Sequence, residues 1–73
     1  MPEDALHAYA LPSRIVIEQA KGVVAERSRV DMDQAFAWLR NHARSENRLL
    51  VDVSQAVIDG SVAPDPPRPA HRA

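Results

Sequence analysis

Seventy-three residues make room for one small domain and no second core. Nine basic and ten acidic side chains give a formal net charge of −1. That balance excludes bulk attraction to nucleic acid, because counterion release at phosphates then requires a local cluster of Lys or Arg. No cysteine is present, so no disulfide or thiolate-metal site supplements a core that supplies about 3–5 kcal/mol at this size. Dimerisation is a natural way for so small a domain to bury more surface.

The N-terminus, Met1-Pro2-Glu3-Asp4, is acidic and has no apolar run, so it does not resemble a secretory signal. No apolar stretch reaches the length of roughly eighteen residues that spans a membrane, and a cytoplasmic protein is expected. Residues 1–11 form an ambiguous N-terminal segment, since Pro12 disfavours helical geometry at Leu11. Pro12 suits the opening of a first helix from Ser13 to about Arg27, where its missing N–H costs nothing. Val16, Ile17, Ala20, Val23 and Val24 recur there at three- and four-residue steps, marking one buried face. Lys21 and Gly22 interrupt that pattern. A mid-helix glycine costs about 1 kcal/mol against alanine, so close packing or the close approach of another backbone must recommend it.

Asp31 with Gln34 predicts a capping-box start for a second helix, and Asp33 suits its positive end. Its core stripe is Met32, Ala35, Phe36, Leu39 and Ala43, ending near Arg44 or Ser45. Asn47 is a candidate N-cap for a third helix with the stripe Leu49, Leu50, Val53, Ala56 and Val57, closed by Gly60 in a left-handed cap. Short connections predict an all-α, compact three-helix domain over residues 12–60. Prolines 64, 66, 67 and 69 forbid helix beyond it, so 61–73 is expected to be a disordered tail with mild positive charge from Arg68, His71 and Arg72.

Nothing here suggests an enzyme. The histidines at 7, 42 and 71 are scattered and form no metal-ligand pair, the serines lack a nucleophile-elbow context, and no glycine-rich phosphate loop exists. No cofactor or metal is expected. The basic residues are more informative, and eight of the nine are arginines. Phe36, Arg40 and Arg44 stand at four-residue intervals along one edge of the core stripe, and Arg48 follows. Spacing alone favours a solvated face with ion pairs, such as Arg48 with Asp52, over a phosphate-binding corner. It likewise favours Phe36 in the core over a base-stacking platform, and Trp38 buried or at an interface over an exposed stacking ring. Lys21 and Gly22 admit both a packing reading and an RNA-backbone reading.

Three blocks in order are similar to the ANTAR family, the RNA-binding output domain of bacterial transcription antitermination regulators. They are Gln19-Ala20-Lys21-Gly22; Ala35-Phe36 with Leu39-Arg40 and Ala43; and Leu49 with Val53. The resemblance covers about Ser13 to Gly60 and implies a three-helix module that pairs as a homodimer and recognises two adjacent stem-loops in a nascent transcript. It places RNA contact at Lys21, Gly22, Arg40, Arg44 and Arg48, with Phe36 where the family keeps an aromatic. Ser54 departs from the family's usual alanine. Family members also normally follow a sensor domain, so a stand-alone chain is expected to act constitutively or through a partner: a sensor protein or another ANTAR-containing regulator. The rival readings are a protein-interaction module that pairs with such regulators, and a helix-turn-helix DNA binder, whose third helix needs more than one cation.

Overall fold

A computed structural model describes residues 12–66; the expectations for 1–11 and for 67–73, with His7, Arg68, His71 and Arg72, lie outside the described residues. Three helices follow in order: α1 (Ser13–Ser28), α2 (Met32–Ser45) and α3 (Leu50–Asp59). Among the described residues there is no strand, and the fold is the expected all-α three-helix domain.

The helix ends carry the local logic. Pro12 stands one position earlier than expected, as the cap of α1, and its carbonyl accepts from the Ile15 and Val16 amides. Between α1 and α2 the chain turns at Arg29, whose φ of 56° is left-handed; the Val30 N–H then closes onto the Ala25 carbonyl. The capping box forms as the sequence implies. Gln34 N–H donates to Asp31 Oδ1 at 2.7 Å, and Asp31 N–H donates to Gln34 Oε1 at 3.1 Å.

Asn47 does not cap α3. It adopts φ 55° just after α2, its N–H donates to Arg44 O, and Arg48 N–H donates to Ala43 O at 2.8 Å. These two bonds form a Schellman closure of α2. The closure delays α3, whose N-cap is Leu49 with no side-chain cap bond. Leu49 is consequently 67% exposed, outside the stripe proposed for it. Met32, the first residue of α2, is 41% exposed and likewise lies outside the stripe proposed for it.

One core joins all three helices: Ala20 and Val24 from α1, Ala35, Leu39 and Ala43 from α2, Val53 and Val57 from α3. Ser54 is fully buried among them and its hydroxyl donates to the Leu50 carbonyl one turn back at 2.8 Å. That bond satisfies the hydroxyl where alanine would have nothing to satisfy.

Gly60, φ 91°, ends α3 in the left-handed region as expected. The Ser61 hydroxyl and then its amide donate to the Asp59 carboxylate and hold its pKa below the ordinary carboxylate value, with a smaller contribution from the Arg48 charge. A depressed pKa of this kind steadies the turn above the ordinary carboxylate range and ceases to do so as pH falls through the folded-state value. Residues 61–66 do not continue away from the domain: Val62 packs against the core and Pro64 is buried.

The capping box yields a direct test. Asp31→Ala should cost about 1 kcal/mol and lower the thermal midpoint by roughly 4–8 °C, measured by circular dichroism; an unchanged midpoint would mean that the box contributes nothing in solution.

Candidate nucleic-acid interface

On α2 the four-residue rows lie side by side. Ala35, Leu39 and Ala43 form the buried row. On one flank runs Phe36, Arg40 and Arg44; on the other, Gln34, Trp38 and His42. The two aromatics of the helix therefore stand on opposite shoulders of one buried ridge, both half-buried.

Phe36 is not a core residue. Its ring is partly exposed and is not among the side chains packed on the core. Two cations face it instead: Lys21 Nζ of α1 lies 5.4 Å from the ring centroid, and Arg40 Cζ, one turn along α2, lies 5.4 Å from it. Both distances are within the roughly 6 Å over which a ring's quadrupole attracts a cation. The sequence stripe points to burial because position 36 neighbours the buried row; the ring lies at that row's edge, faced by the two cations.

Lys21 also pairs with Glu18, Nζ to Oε2 at 3.1 Å, with the lysine side chain 19% and the glutamate 57% exposed. With its glutamate largely in water, such a pair is worth only about 0–1 kcal/mol. This is the one ion pair among the described residues; the proposed Arg48–Asp52 pair does not form among them. Arg40, Arg44 and Arg48 are all exposed.

Gly22 is exposed, and a Cβ built on it meets nothing within 4 Å. Close packing against the described residues, one of the two explanations for this glycine, is therefore absent. What the missing side chain leaves is open backbone on α1 immediately beside Lys21.

Of the six residues singled out in the sequence, the fold gathers Lys21, Phe36 and Arg40 into one contact group, with Gly22 beside it and Arg44 one turn beyond Arg40. Arg48 is not in that group. Its backbone closes α2, and its charge is felt at Asp59. Sequence reasoning missed Glu18, although its i,i+3 spacing to Lys21 was visible.

The opposite flank carries no lysine or arginine, and the chain beyond α3 returns to it. The Trp38 and His42 rings stack at 5.0 Å and 18°, a pairing that their i,i+4 spacing permits. Beside them Val24, Ser28, Val30, Gln34, Trp38, Asp65 and Pro66 line a half-open groove of about 190 Å³, smaller than the roughly 300–1,000 Å³ of typical small-molecule sites. Among the described residues no group of His, Asp or Glu is arranged to hold a metal ion, and no helix is long and apolar enough to cross a membrane.

Among the described residues, fold and surface define a small helical module with a cation-lined aromatic strip across α1 and α2. The ANTAR domain family model matches residues 7–58, and the chain belongs to that family, whose members are RNA-binding antitermination regulators. Curated proteins and solved structures give no match.

The open surface at Gly22 generates a prediction for the free protein. With room for a methyl group, Gly22→Ala should stabilise the domain by about 0.5–1 kcal/mol, seen as a higher thermal midpoint. A lower midpoint would show that the glycine serves packing after all.

Proposed function

We propose that this chain is an RNA-binding regulator of transcription termination and antitermination that recognises tandem stem-loops in nascent leader RNA. The observation that carries the reading is the half-exposed Phe36 bracketed by Lys21 and Arg40, with bare backbone at Gly22 alongside. Single-stranded loops offer unstacked bases that lie on aromatic rings or guanidinium planes. Arg40, held over Phe36, offers such a plane; Lys21 exchanges Glu18 for a phosphate; Gly22 lets the sugar-phosphate backbone close in. Arg44 extends the same strip, and Arg48 is a peripheral contact reached after a change of side-chain direction.

Two hairpins call for two copies of so small a domain, and the chain acts as a homodimer on this reading. It works in the bacterial cytoplasm, where nascent transcripts are, with its input from a sensor protein or another ANTAR-containing regulator. No catalysis, cofactor or membrane enters the mechanism. A helix-turn-helix reading fits poorly, because the exposed polar side chains of α3 are Asp52, Gln55 and Asp59, which repel or ignore phosphate.

Fluorescence anisotropy of a labelled tandem stem-loop RNA tests this, with duplex DNA and a loop-scrambled RNA in parallel. Arg40→Ala with Arg44→Ala should weaken binding about 100-fold, the loss of two charge-assisted contacts, while the circular dichroism stays helical. Gly22→Ala should weaken binding although it stabilises the free protein. Unchanged affinity in the folded double variant would remove both arginines from the site. Equal, salt-labile binding to all three nucleic acids would reduce the reading to general charge attraction, and no binding to any would favour a module that only pairs with other regulators.

A further inference from the structure

Residues 61–66 lie beyond the stretch 7–58 that carries the family match, yet they touch every helix. Val62 N–H donates to the Ala56 carbonyl of α3 at 3.1 Å, and its side chain packs on the core. Pro64 is buried. Asp65 then makes two bonds of different kinds: its backbone carbonyl accepts from the Ser28 hydroxyl at the end of α1, and its carboxylate accepts from Trp38 Nε1 of α2 at 3.2 Å.

We propose that Ser61–Pro66 is a strap that completes the folded unit, with Asp65 as its fastening between α1 and α2. Three features make the strap suited to this. Gly60 reverses the chain at φ 91°, and the Asp59–Ser61 bonds fix the direction in which it leaves. Prolines 64 and 66 hold φ near −65° and donate no N–H, so a short extended segment lies on an apolar face with little conformational entropy to lose and few amides to satisfy. The indole N–H of a half-buried tryptophan requires an acceptor, and Asp65 provides it. The strap thereby closes the Trp38 flank of α2 and fixes α1 against α2 on the side away from Phe36. The folded domain extends to about residue 66, and Trp38 is held in the fold with no part in stacking on bases.

Trp38 is the single tryptophan of the chain, so its emission reports the strap in the full-length protein without nucleic acid. Asp65→Ala should shift that emission to longer wavelength and lower the thermal midpoint by about 4–8 °C, the size expected for one such interaction in a domain of this length. Trp38→Phe should lower the midpoint similarly, and the double variant should fall no further than the larger single one, since both remove the same bond. Glu26→Ala, an exposed acid on α1, should change neither readout. Should Asp65→Ala fail to fold, hydrogen exchange on the unaltered chain decides: the Val62 amide should be protected to the level of the α3 amides. Unchanged emission and midpoint in Asp65→Ala, additive losses in the double variant, or a Val62 amide that exchanges as freely as unstructured chain would overturn the proposal. None of these outcomes depends on RNA binding.

Discussion

Within the core that joins all three helices, one meeting positions the rest of the surface: the ridge Ala35–Leu39–Ala43 of α2 with Ala20 and Val24 of α1. Three of those five side chains are alanines. Small side chains let two helix backbones come near each other, and in a chain with so few large apolar residues that proximity does work a bulkier core would do by volume. It also fixes what lies on either side. With α1 drawn in against the ridge, Lys21 reaches across to Phe36 on one shoulder, and Ser28 stands within reach of the returning chain near Trp38 on the other.

The shoulders differ in chemistry, and that difference reconciles a net charge of −1 with a nucleic-acid role. Several acidic side chains serve helix ends or the chain that follows them: Asp31 and Asp33 at the start of α2, Asp52 in the first turn of α3, Asp59 at its end, and Asp65 under Trp38. The Phe36 shoulder keeps cations, with Glu18 as the acid paired there. A nearly neutral chain thus carries a local positive strip, and only a local strip can release counterions from phosphate.

Much of this was legible in the sequence. The Asp31–Gln34 box, Gly60 and the alanine-rich stripes each state a local rule that the fold obeys. The failures have physical causes. Asn47 satisfies the preference for an N-cap and for a left-handed C-terminal position equally well, and only the two amide bonds that close α2 decide between them. Misplacing that turn also put Leu49 in a stripe that begins at Leu50. The periodicity that points Phe36 to the core cannot distinguish the middle of a face from its edge. The cost of Gly22 marks it in the sequence, but only the open space above it shows that no described residue packs there. The Trp38–Asp65 contact joins residues twenty-seven positions apart, a distance at which spacing carries no information.

On the proposed reading the two shoulders of α2 have separate roles, one for RNA and one for the fold. Amide chemical shifts of the isotopically labelled protein, followed while a tandem stem-loop RNA is added, test it most directly. The account predicts movement at Lys21, Gly22, Phe36, Arg40 and Arg44, with Gln34, Trp38, His42 and Asp65 left in place. Shifts centred on the Trp38 shoulder, or none at the Phe36 shoulder when RNA is bound, would contradict it.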